Sequence, residues 1–199
     1  MPGCIAAFEQ LIGHDLMQRE LGLGGRPTEL TSWLELSQSL VARYERGEIK
    51  SADFIDKICA LAHTDIQPLA VIHAWNTMHA GIPIERINYL QQLRKEGCTL
   101  YLLSNNNDIH WQHTNAEYPQ LTALFNRCFL SHELHCAKPY KDIYLLADRE
   151  IKALNTNADS IIFIDDLAVN RLAAELYTGW QTCAGIDELQ ALLAVNCSL

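Results

Sequence analysis

In the second half of the chain, three short polar stretches stand beside apolar runs or helical segments. Ser104-Asn105 follows Leu100-Tyr-Leu-Leu, Lys138-Pro139 precedes a helical stretch, and Asp165-Asp166 follows Ile161-Ile-Phe-Ile, with Asn170 one helical turn on. Each residue type suits a phosphoryl group. A serine hydroxyl and the amides of a strand-to-helix turn donate to phosphate oxygens. A lysine offers a compact positive charge to oxygens that share negative charge during transfer. Two adjacent carboxylates at a wet rim suit a hard cation such as Mg²⁺, which takes oxygen ligands and keeps several waters. Taken singly, Ser104 is an ordinary turn residue and Lys138 an ordinary surface lysine. Asp165 and Asp166 are harder to assign to folding alone, because neighbouring acids repel and a helix N-cap needs only one of them. Their order along the chain, each at a strand or helix end, points to one chemistry.

Such residues need a scaffold that gathers strand ends, and the sequence supplies one. From Ile84 the chain alternates helices and strands. An amphipathic helix over 84–96 stops at Gly97, and apolar runs at 99–104 and 161–165 have the length and unbroken hydrophobicity of buried strands. Cys128–Ser131 and Trp180–Ala184 are shorter strands, and 141–154, 167–176 and 186–195 are helical. Strand–helix alternation predicts a parallel sheet with right-handed crossovers, whose ligands collect at the carboxyl ends of the strands. Residues 1–83 show no alternating β-branched run and read as helices: an apolar face at Ala6, Ala7, Leu11 and Ile12, a start at Pro27-Thr28, a helix from Ser51, and another over 68–79. The expected organisation is a helical segment over 1–83 and an α/β, Rossmann-like core over 84–199.

The net charge of −9 and pI near 5.3 disfavour nucleic acid and anionic lipid as partners. A phosphorylated ligand would therefore need a local cation. No window reaches the roughly 18 apolar residues of a membrane span, and the N-terminus lacks a signal-peptide pattern. Seven scattered cysteines without a C-x-x-C pair read as reduced core thiols of a cytoplasmic protein. His132, His135 and Cys136 form an H-x-x-H-C string without a second ligand pair, and with His110 and His113 they read as surface histidines rather than a zinc site. Gly22-Leu-Gly-Gly25 follows no strand and reads as a loop between helices.

The strings LYLLSNNNDIH, LSHELHCAKPYKDIY and IIFIDDLAVN resemble the second, third and fourth motifs of the haloacid dehalogenase superfamily, over about residues 84–185. The helical residues 1–83 resemble the small cap that one of its subfamilies inserts after the first strand. The resemblance implies a phosphatase of small phosphomonoesters in which an aspartate attacks phosphorus and water cleaves the aspartyl-phosphate. Ser104, with Asn105, falls on the phosphoryl-binding position, Lys138 on the stabilising lysine, and Asp165 and Asp166 on the magnesium positions. The cap would select the alcohol, with Trp75 and Asn76 as its cap-to-core residues. Tyr140 departs mildly from the small or acidic residue usual after Lys-Pro.

The attacking aspartate of that family sits in a D-x-D segment ending the central first strand, and no D-x-D occurs in these 199 residues. Met1-Pro2-Gly3 stands about where the cap would begin. The expectation is a core without its central strand, inactive as a phosphatase, holding Mg²⁺ weakly or not at all, and associating through exposed sheet edges. The rival readings are a non-catalytic scaffold binding a protein or a phosphorylated ligand, and a 2-haloacid dehalogenase, which would need no magnesium.

Overall fold

The structure, a computed structural model, describes residues 38–62, 65–77, 81–154 and 160–196. The expected helices before residue 38 and the glycine-rich loop lie outside the described residues. The chain divides into two compact units, Met1–His135 and Cys136–Leu199.

In the first unit, α1 (Leu40–Glu45), α2 (Ser51–Leu61) and α3 (Pro68–Asn76) pack as a helical cluster. Ser39 caps α1 by accepting from the Ala42 N–H, and Pro68 opens α3 where a missing N–H costs nothing. Their apolar faces converge on Tyr44, Phe54, Ile58, Val71 and Trp75, all at most 2% exposed, and Ile109 from further along the chain joins them. Phe54 links the rings, stacked on Tyr44 at 4.2 Å and edge-on to Trp75 at 4.8 Å. α4 (Ile84–Lys95) buries Ile87 and Leu93, and Gly97 ends it with a φ of +94°.

β1 (Tyr101–Ser104) then pairs in parallel with β2 (Arg127–Leu130), Ser104 opposite Leu130. Between them run α5 (Asp108–Glu117) and the single turn α6 (Pro119–Thr122). α7 (Ser131–Leu134) follows β2 and ends with His135 in the left-handed region. The Gly47 turn beyond α1 fits against α7 so closely that a Cβ would stand 2.1 Å from the His132 carbonyl oxygen, so only glycine serves there.

In the second unit, α8 (Lys141–Leu154) buries Ile143, Tyr144, Ala147 and Ile151 along one face. β3 (Ile162–Ile164) pairs in parallel with β4 (Gln181–Cys183). α9 (Ala168–Thr178) connects them and stops at Gly179, φ +74°, and α10 (Ile186–Asn196) follows. Phe163, Tyr144 and Trp180 form an aromatic core with centroids 6.0–6.4 Å apart. α9 turns Asn170, Ala173 and Ala174 inward and leaves Val169, Leu172 and Leu176 outward, 44%, 64% and 75% exposed.

The architecture is the expected α/β type with parallel strands. Its strands form two separate pairs, β1–β2 and β3–β4, and no strand among the described residues joins them. β1 is half-buried along its whole length, where burial on two faces was expected. α1 and α6 were not expected, being too short to show a helical period.

Candidate functional site

The second unit holds the most developed polar cluster. Chain direction after β3 is set by Asp165, whose N–H still donates to the Cys183 carbonyl of the sheet. Its side chain turns inward, with 5% exposure, and meets the Lys138 ammonium, itself 11% exposed, at 2.6 Å. Lys138 also lies 5.5 Å from the centre of the Phe163 ring. The other donors to Asp165 come from the start of α9. Leu167 N–H donates to Oδ1 at 2.9 Å, and Asn170 Nδ2 lies 3.0 and 3.1 Å from the two oxygens. Burial alone would raise this carboxyl. The Lys138 hydrogen bond and charge, helped by Asn170 and Leu167, outweigh burial and hold its pKa below the ordinary value. Both oxygens are thus occupied by protein donors.

Asp166 differs in every respect. It is exposed, and no donor among the described residues reaches its carboxylate. Of the adjacent acids, only Asp166 offers open oxygen. Hard oxygen donors of this kind fit Mg²⁺, which commonly takes one or two carboxylates and fills its remaining positions with water and phosphate oxygens. Among the described residues, no group of three or more acidic, histidine or cysteine side chains forms a metal cage. The second unit by itself therefore fits one carboxylate ligand.

Ser104 and Asn105 lie in the first unit, at the carboxyl end of β1. The Ser104 hydroxyl donates to the backbone carbonyl of Asn105 at 3.4 Å, and Asn105 is exposed. Behind them the loop is fixed. Asn106 N–H donates to the Ser131 hydroxyl, which also lies 2.5 Å from the Glu45 carbonyl and 3.0 Å from that of Asn106. Asn107, fully buried, caps α5 by accepting from the His110 N–H, accepts from the Trp75 indole N–H, and lies 3.1 Å from His110 Nδ1 through its amide nitrogen. His110 Nε2 faces the Trp75 carbonyl at 2.9 Å. A carbonyl only accepts, so Nε2 carries the proton, and Nδ1 accepts from Asn107. A second chain of bonds runs from Ile109 N–H to Tyr44, Ser51 and the Asp108 carboxylate.

Trp75 is fully buried and stacks on His110 at 5.1 Å, so it shapes the cluster from inside. Asn76 is half-buried, and its Oδ1 is shielded from water with no partner among the described residues. The reading of surface histidines fails at His110, which is 8% exposed because Asn107 and Trp75 enclose it. His132, half-buried, donates to the Asn106 carbonyl, and His135, exposed as expected, donates to the Arg46 carbonyl. The pinning residues Asn107 and Ser131 were missed by the sequence reading. Only the N-cap position of Asn107 before Asp108 could have signalled one of them.

The comparisons with known proteins agree with this architecture. The family profile described as haloacid dehalogenase-like hydrolase matches residues 7–176. This chain belongs to the haloacid dehalogenase-like hydrolases. It is similar to a HAD family enzyme of Bacteroides thetaiotaomicron crystallised with magnesium and inorganic phosphate, with 25% identity, 92% of this chain and 85% of that one covered, and a TM-score of 0.71. It also resembles in fold a predicted HAD-like family hydrolase of Porphyromonas gingivalis, with 21% identity, 98% and 89% coverage, and a TM-score of 0.75. No helix among the described residues is long and apolar enough to cross a membrane.

Proposed function

We propose that this polypeptide carries the phosphate- and magnesium-binding residues of a hydrolase of small phosphomonoesters and does not turn substrate over by itself. The supporting observation is the division of labour between two adjacent acids: Asp165 is saturated by Lys138, Asn170 and Leu167, while Asp166 is open. In this reading Asp165 is the anchor that orients Lys138, and Asp166 is the carboxylate offered to Mg²⁺. A bound Mg²⁺ supplies the positive charge that an acidic chain otherwise denies a phosphate. The magnesium and phosphate bound by the Bacteroides thetaiotaomicron enzyme favour this ligand pair over an organohalide. Ser104 and Asn105 keep the role their sequence match assigns, donation to a phosphoryl oxygen, and Asn76, whose shielded Oδ1 has no partner among the described residues, is the residue to select the alcohol. The absence of any D-x-D segment is the reason for expecting no covalent intermediate.

The test is twofold. Titration with inorganic phosphate should show binding with Mg²⁺ present and none without it, and Asp166→Asn should abolish it. Incubation with a generic phosphomonoester and Mg²⁺ should release no phosphate above background. Hydrolysis at ordinary enzymatic rates would refute the inactivity, and phosphate binding indifferent to Mg²⁺ and to Asp166 would refute the site.

A further inference from the structure

We infer that Arg171 is a positioning residue that sets the direction of the Asp166 carboxylate by clamping the backbone of the Asp165-Asp166 turn. This inference rests on the assignment of Asp166 as the cation ligand. One guanidinium nitrogen, Nη1, donates to two consecutive carbonyl oxygens, those of Asp165 at 2.7 Å and Asp166 at 3.0 Å. In an extended strand successive carbonyls point to opposite sides. Both can meet one nitrogen only because the chain turns sharply one residue after β3, and a charge-assisted pair of bonds holds that turn.

The turn determines where Asp166 points. Asp165 has its own anchors in Lys138, Asn170 and Leu167, whereas the Asp166 side chain has none among the described residues, so its direction follows from its backbone. Without Arg171, two carbonyl oxygens that converge on one point would lose their shared donor, and the turn would rest on the bond from Leu167 N–H to Asp165 Oδ1 alone.

The location of Arg171 adds weight. It is the fourth residue of α9, close to the positive end of the helix dipole, where a cation is locally unfavourable. A local rule broken at this point is offset by the two carbonyls it captures, which places the benefit in the turn rather than in the helix.

Mn²⁺, titrated into the purified chain and followed by the electron paramagnetic resonance of the free ion, tests this. Asp166→Asn should remove the binding and so locate the site. Arg171→Gln should weaken it by about tenfold, the range for residues that orient a metal ligand from behind, and should shift the amide resonances of Asp166 and Leu167 with an unchanged urea midpoint. Arg171→Lys, which keeps the charge without the planar fork, should recover part of the affinity and serves also if the glutamine variant folds poorly. Wild-type affinity in Arg171→Gln or in Arg171→Met, together with loss in Asp166→Asn, would overturn the role of Arg171 and leave the site standing. Identical titrations of wild type and Asp166→Asn would overturn the site and Arg171 with it.

Discussion

Burial of Asp165 and Lys138 removes both charges from water, and their 2.6 Å contact offsets that loss only while both are ionised. The folded pKa of Asp165 lies below its unfolded value, so its contribution is fully present above the unfolded value of about 3.9 and disappears as pH falls through the folded one. Asp165→Ala strands a buried ammonium and should cost about 3–5 kcal/mol at pH 7. Urea unfolding between pH 2 and pH 7 should show the gap between wild type and variant closing only on the acid side. A gap independent of pH would assign the loss to packing. Nothing in the sequence distinguishes two neighbouring aspartates. Their difference arises from donors 27 residues before and five residues after Asp165, which only the fold assembles.

Helices α1 to α3 and the loop after β1 are fastened together by buried polar groups rather than by apolar contact alone. Asn107 is the centre of that fastening. Asn107→Ala removes the cap of α5, worth about 1 kcal/mol, and deletes the buried bonds that Asn107 makes to the Trp75 indole N–H and to His110 Nδ1. The expected loss of stability is about 2–4 kcal/mol, readable from the urea midpoint. A loss under about 1 kcal/mol would mean that the three groups find other partners. Most long elements were legible beforehand, because their apolar residues recur at helical spacing or in unbroken runs. α4, α8, β1 and β3 all fall within a residue or two of their expected spans. The fastening was not legible, since an asparagine among Asn105, Asn106 and Asn107 carries no mark of which one will be enclosed. His110 looked exposed for the same reason: its enclosure comes from Trp75, 35 residues earlier.

At the scale of the molecule, the sequence sufficed for the family-level architecture but not for how the strands associate. Two apolar runs that suggest one continuous sheet belong to two separate strand pairs among the described residues. The outward stripe of α9 was equally hidden, because the spacing of Val169, Leu172 and Leu176 marks one side of a helix without saying whether that side faces in or out. Its consequence is colloidal. A chain of charge −9 is kept from its own copies by repulsion, and dissolved salt shortens the reach of that repulsion to about 8 Å at physiological ionic strength. Light scattering should therefore rise as sodium chloride is added, and Leu172→Glu combined with Leu176→Lys should flatten the rise. If that pair scatters like the wild type, clumping runs through another surface, such as the strand edges. Dilute buffers, which leave that repulsion its full reach, are therefore the safer choice for a molecule that carries such a helix.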